Sequence, residues 1–218
     1  MKDYLLFLDT ETSGIPLRWD RSYMDDSNWP HVLQLAWKLY DIDRREVKQF
    51  NAYIYEPEVS IDATATQVHG ITIDFLRTHG LRRKETLRNL AYIIKKYDPI
   101  IIGHFIELDT LVLSAEFYRS GLPNPFVGRA LFCTMLNSKN YVVNPSIKFL
   151  RLPQLYEFLF KTELTKHHEA AHDAWVTAQC FFELWDRQEI TEETLDEQRL
   201  SFNRKFDFLQ IPINKKTS

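Results

Sequence analysis

The 218-residue chain has little cysteine, no excess of positive charge, no long hydrophobic run and no repeated or low-complexity tract. Each shortage removes a class of protein. Two cysteines, Cys133 and Cys180, both in apolar surroundings, exclude a disulfide-built scaffold and fit buried free thiols in a reducing compartment. No stretch approaches the roughly 20 apolar residues of a membrane span. One lysine and five apolar residues precede Asp9, too few for a secretory signal, so the expected location is the cytoplasm. With 27 basic and 30 acidic side chains the formal net charge is −3. That excludes a protein that coats long duplexes through a global positive field, but not one that grips a strand end locally. What is present, 44% hydrophobic and 26% charged residues, is the composition of an ordinary globular domain.

The most informative stretch is Tyr4-Leu5-Leu6-Phe7-Leu8-Asp9-Thr10-Glu11-Thr12-Ser13-Gly14. An apolar run of this kind reads as a strand buried on both faces. Side chains alternate along a strand, so Asp9 and Glu11 project from one face. Two acids there repel each other and lose hydration, which drives protonation unless a cation lies between them. The pair is therefore read as half of a divalent-metal site, against the plainer alternative of a strand end meeting a polar turn.

After a loop over residues 15–30, carrying Arg18, Trp19, Arg21, Tyr23 and Trp29, strands are expected at 31–40 and 47–55, joined as a hairpin. Short helices follow at 64–70, closed by Gly70, and after Thr72. A longer helix at 84–97 carries the stripe Leu87, Leu90, Ala91, Ile94 and Tyr97. Pro99 ends it, and residues 100–104 read as a second buried strand. Further helices are expected at 109–119, 152–160, 170–185 and 191–206, with a short strand at 131–134 and a loose tail at 210–218. This order gives an α/β fold on a mixed sheet, one hairpin strand running against the rest.

Two more places can return acids to Asp9. Asp109 follows the strand at 100–104, and parallel strands open their C-terminal ends onto a shared crevice; taken alone, Asp109 reads more readily as a helix cap. The second place is His167-His168-Glu169-Ala170-Ala171-His172-Asp173. His168 and Asp173 lie about 1.4 helical turns apart. The same stretch spells His168-Glu169-x-x-His172, the pattern of a zinc metallopeptidase, with Glu192 or Glu193 as conceivable third ligands. That reading leaves Asp9, Glu11 and Asp109 without a role; a surface location is the plain alternative for His167 and His172.

Taken in order, Asp9-Thr10-Glu11-Thr12-Ser13-Gly14, His104-x4-Asp109 and His168-x4-Asp173 resemble the three motifs of the DEDDh 3′–5′ exonucleases, the family of the proofreading ε subunit of bacterial DNA polymerase III. Val68-His69-Gly70-Ile71-Thr72 and Leu152-Pro153-Gln154-Leu155 resemble the elements between them. The likeness spans residues 4–187. Phe105 and Leu108 depart from the Asn and Phe frequent in the second motif, and residues 15–30 form a longer loop than usual.

The resemblance implies a ribonuclease H-like three-layer α/β/α fold on a mainly five-stranded sheet. It divides the chain into an exonuclease domain at 1–187 and a helical extension with a tail at 188–218, packed on the same domain. It further implies two Mg²⁺ or Mn²⁺ ions held by Asp9, Glu11, Asp109 and Asp173, with His168 as general base. Thr10, Thr12 and His69 would contact substrate. The expected reaction releases nucleoside 5′-monophosphates from single-stranded or frayed DNA 3′ ends, with RNA or short oligoribonucleotides as the alternative. A DNA polymerase or another replication or repair protein is the expected protein partner. A binder on this fold that no longer cuts is disfavoured by the full set of motif residues.

Overall fold

In the computed structural model, which describes residues 2–164 and 168–206, the apolar N-terminal run becomes the middle of a sheet. Strand β1 (Tyr4–Thr12) pairs antiparallel with β2 (Val32–Asp41) and parallel with β4 (Ile100–Gly103). With β3 (Glu46–Tyr53) and β5 (Leu131–Cys133) the order is β3-β2-β1-β4-β5, and β2 alone runs against the rest. His167 and the 210–218 tail lie outside the described residues.

Alternation along β1 builds a core on each face. Leu6 and Leu8 pack with Ile101 against α3 (Arg83–Tyr97) and α4 (Ile106–Arg119). Leu5 and Phe7 pack with Ile100, Ile102 and Phe132 against α6 (Leu152–Phe160) and α7 (Ala170–Asp186). The result is the expected three-layer α/β/α, ribonuclease H-like arrangement. Short helices α1 (Ala63–His69) and α2 (Ile73–His79) follow β3. Thr72 caps α2 by accepting a hydrogen bond from the Phe75 amide.

Three details differ from the sequence reading. Strand β1 continues through both acids, with Asp9 opposite Ala36 and Glu11 opposite Gln34 on β2. Helix α4 starts at Ile106, three residues early, because that side chain is wholly buried; its cap is Phe105, at φ 74°, so Asp109 stands inside the first turn and is not the cap. Between β5 and α6 lie a four-residue helix, α5 (Thr134–Asn137), and a 3-10 turn at Ser138–Tyr141. Pieces that short carry no readable periodicity.

Helix α8 (Glu192–Lys205) packs on the far edge of the sheet, reaching both cores through Leu195 and Phe202. Its Gln198 amide accepts a hydrogen bond from the Cys133 N–H (2.8 Å) and donates one to the Cys133 carbonyl (3.2 Å). Both cysteines are free and buried. Among the described residues no helix is long and apolar enough to cross a membrane.

On α4 a buried carboxylate, Glu116, is ringed by basic side chains. Its oxygens lie 2.9 Å from His31 Nδ1, 2.8 Å from Arg119 and 3.1 Å from Arg83. Arg119 also donates to the carbonyls of Asp26 (3.0 Å), Trp29 (2.5 Å) and Pro30 (3.0 Å), fastening the 15–30 loop to the helix. Tyr23 and Trp29 of that loop are buried, and half-exposed Trp19 packs on Trp29 and Phe105. Most of the loop's aromatic surface therefore serves to anchor it.

Candidate active site

Parallel pairing of β1 with β4 brings the C-terminal ends of both strands to one crevice. Asp9 and Glu11 continue the face of Leu5 and Phe7, the side covered by α7. Thr10 continues the face of Leu6 and Leu8, the side covered by α4, where its hydroxyl donates to Asp109 Oδ1 at 2.7 Å. Acids thus reach the strand end from both layers, Asp109 from one and Asp173 from the other.

The third segment is fixed at the start of α7. Glu169 caps the helix, its carboxylate accepting from the Ala171 (3.3 Å) and His172 (3.0 Å) amides. His168 precedes it in the left-handed region at φ 62°, and its N–H donates to Asp173 Oδ2 at 3.1 Å. That reversal turns the His168 ring back toward β1. Glu11, His168 and Asp173 each offer one ligand-capable atom, and the three atoms lie within 4.8 Å of one another.

Burial and mutual repulsion dominate the electrostatics. Asp9 is raised well above the usual carboxylate range by burial first, then by the charges of Asp109, Asp173, Glu11 and Glu169. Glu11 is raised to about 8 by burial and by Asp173, Asp109 and Glu169. Asp109 is raised to about 7 by burial, with the Thr10 hydrogen bond working against it. Among the described residues no lysine or arginine forms an ion pair with Asp9, Glu11 or Asp109. A site of this kind is completed by cations, and its carboxylate oxygens are donors suited to Mg²⁺ or Mn²⁺.

The other sequence-selected residues lie at the same strand end but are already engaged. The Thr12 hydroxyl donates to the Gly14 carbonyl at 2.7 Å. His69 Nδ1 accepts from the Ile71 amide (3.0 Å), which leaves the ring proton on Nε2, 3.2 Å from the Thr12 carbonyl. His69 therefore ties the α1–α2 connection to the end of β1; burial lowers its pKa and keeps it neutral. His104 is also a brace, its ring 3.0 Å from the Thr134 hydroxyl and 3.1 Å from the Leu150 carbonyl, with burial lowering its pKa to about 4.

The zinc-peptidase pattern does not form. His168 lies ahead of α7 and His172 within its first turn, so they do not share a helical face, and the Glu169 carboxylate is occupied as the cap. His172 packs on Trp175 instead. Glu192 and Glu193 begin α8 on the opposite flank of the domain.

Sequence reasoning missed two residues here, Gln34 and Asn51. Gln34 Nε2 donates to Glu169 Oε1 at 2.6 Å and to Asn51 Oδ1 at 2.9 Å. The available signal was a lone amide inside the apolar run of β2.

Comparison with known proteins agrees with this geometry. The chain superposes on E. coli exonuclease I in complex with a dT13 oligonucleotide, with a TM-score of 0.67 and 18% identity over 95% of this chain and 43% of that one. A zinc-bound form of the E. coli exonuclease I–single-stranded DNA complex gives 0.71 and 17%, over 95% and 45%. Exonuclease I from Methylocaldum szegediense gives 0.67 and 19%, over 94% and 43%. The chain thus spans less than half the length of these solved proteins, and at such identities the likeness shows the fold. No curated protein sequence matches the chain. Residues 6–181, which include every carboxylate of the cluster, match the RNase T family of exonucleases. The chain belongs to that family, the DEDDh exonucleases.

Proposed function

We propose that this chain is a metal-dependent 3′–5′ exonuclease that removes nucleoside 5′-monophosphates one at a time from DNA 3′ ends, single-stranded or frayed. The observation that carries the reading is the convergence of four carboxylates, Asp9, Glu11, Asp109 and Asp173, beside His168 in a chain of this family. Two divalent ions, Mg²⁺ or Mn²⁺, fit four such carboxylates, three of which, Asp9, Glu11 and Asp109, burial and crowding hold above the usual carboxylate range. Bound there, they would polarise the scissile phosphodiester and the attacking water.

The chain's own residues do the rest. A ring nitrogen of His168 takes the proton from the attacking water. The water oxygen bonds to phosphorus, the P–O3′ bond breaks, and the departing 3′ oxygen takes a proton from solvent. Thr10 holds Asp109 through the hydroxyl proton it donates, and the His168 N–H holds Asp173. Thr10, Thr12 and His69 border the terminal nucleotide, acting mainly through the backbone they brace. The dT13 complex of E. coli exonuclease I supports single-stranded DNA as the substrate. Buried free thiols fit a reducing compartment, the cytoplasm in this reading; a DNA polymerase or another replication or repair protein is the proposed partner.

The test is digestion of matched, labelled DNA and RNA oligonucleotides, single- and double-stranded, with Mg²⁺ or Mn²⁺. Single-stranded DNA is expected to shorten from its 3′ end faster than RNA, and Asp9→Ala to abolish shortening. Undiminished trimming by Asp9→Ala overturns the mechanism; faster trimming of RNA overturns the choice of substrate.

A further inference from the structure

Strand β2 carries a single amide among buried apolar neighbours. Gln34 is 1% exposed and pairs in register with Glu11. A buried side-chain amide costs free energy unless its donors and acceptor are met, and here they are met across the sheet. Both Nε2 hydrogens are used, one on Glu169 Oε1 (2.6 Å) and one on Asn51 Oδ1 (2.9 Å). Its Oε1 accepts from the Ala170 amide (3.3 Å), the first residue of α7. Asn51 Nδ2, from β3, donates to the same Glu169 oxygen at 3.2 Å.

Glu169 is thereby held from two sides. Gln34 and Asn51 fix its carboxylate to the sheet, and that carboxylate takes the Ala171 and His172 amides at the helix start. His168 is the next residue upstream, and its own N–H is pinned by Asp173. Two strands thus set where α7 begins, and with it where His168 and Asp173 stand relative to Glu11.

We propose that Gln34, acting through Glu169, is a positioning residue for His168 and Asp173. The proposal rests on the exonuclease reading for its kinetic consequence, but not for its structural one. A neutral amide is required at this place because it can donate to a carboxylate without adding another charge beside Glu11. Gln34→Glu sets two carboxylates against each other. In Gln34→Glu/Glu169→Gln the partners are exchanged: the new amide at 169 donates to the carboxylate at 34 while its oxygen still accepts from the His172 amide, and Asn51 donates to the carboxylate at 34.

The experiment compares wild type, Gln34→Glu, the exchanged double variant and Gln34→Met, which keeps the length but loses all three hydrogen bonds. Steady-state kinetics on a labelled single-stranded DNA oligonucleotide, per folded molecule, are read together with amide hydrogen exchange over residues 169–173. Gln34→Glu and Gln34→Met are expected to lower kcat about 10–100-fold with KM changed less than about twofold, the usual scale for removing a group that orients a ligand. Exchange at the start of α7 is expected to quicken in both, and the double variant to recover most of each loss relative to Gln34→Glu. Wild-type kcat in Gln34→Met, or a double variant no better than Gln34→Glu, overturns the proposal. If Gln34→Glu does not fold, Gln34→Met decides alone. If the wild type shortens no DNA, the exonuclease reading fails, while hydrogen exchange still decides whether Gln34 orders the helix start.

Discussion

Helix α4 carries two buried acids, Asp109 and Glu116, seven residues and about two turns apart on nearly the same face. Burial pushes both toward the protonated form, yet they titrate in opposite directions. Asp109 is raised to about 7, with the Thr10 hydroxyl and the backbone amides of Asp109 and Thr10 working against the shift. For Glu116 burial is outweighed by the hydrogen bond from His31 and the charges of Arg119, His31 and Arg83, so it falls below the usual range. Depth is common to the two sites and the counter-charge is not. Glu116 has its cations built into the chain and holds the 15–30 loop in place. Asp109 is crowded with Asp9 and Glu11, and among the described residues no lysine or arginine forms an ion pair with any of the three. Two turns of one helix separate a carboxylate paired with arginines from one crowded by other carboxylates.

The comparison can be broken at either end. The largest effect is expected from Asp109→Asn, which removes a cation-binding charge: exonuclease activity should drop about 10³-fold, equivalent to about 4 kcal/mol of barrier. The metal-free protein should melt no lower than wild type, because the lost charge was unfavourable. A lower melting temperature together with retained activity would place Asp109 with Glu116 as a structural acid. Next comes Glu116→Ala, which leaves Arg119 and Arg83 without their shared buried partner. It should destabilise the fold by about 3 kcal/mol, read from urea unfolding. The loss of kcat per folded molecule should be small.

A third test sharpens the contrast through pH. Glu11, at about 8, and Asp109, at about 7, titrate in the folded protein well above their ordinary values of 4.5 and 3.8. The native state therefore binds more protons than the unfolded chain from about pH 4 to 8. Their contribution is complete below that window and is lost as pH rises through it. Glu116, being lowered, acts oppositely and loses its contribution only in acid. Thermal unfolding in chelator should show a fall in Tm from pH 5 to pH 8, each kcal/mol corresponding to about 2–4 °C. Saturating Mg²⁺ should flatten that fall by binding the ionised form. A metal-free Tm that climbs over the same range would contradict the assignment.

How much of this is legible in the chain depends on how local each cause is. The β1 acids could be read because two-residue alternation fixes their shared face, and α7 because its apolar residues repeat along a helix. The start of α4 was misplaced: aspartate favours helix caps, but burying Ile106 outweighs that preference and drives the chain through a left-handed Phe105. The His168-Glu169-x-x-His172 pattern is set aside by the order of the other motifs, and the structure adds the reason that spelling cannot: a single positive φ at His168 takes the first histidine off the helix. His69 and His104 stood out as polar residues at element ends, yet their ring partners come from elsewhere in the chain. Gln34 and Glu169 are 135 residues apart, and nothing in either neighbourhood announces the other.

The double hydrogen bond from Gln198 to Cys133 has a consequence for solubility. Strand β5 is only three residues long, and its outer side would otherwise offer a bare N–H and carbonyl to any extended chain. A side-chain amide mimics a neighbouring strand's peptide group and fills that place from within the molecule. The family match stops at residue 181, before this plug arrives. A fragment trimmed to the matched segment would keep every carboxylate of the cluster and lose the cover on its sheet, leaving an adhesive border where strands from other copies could add.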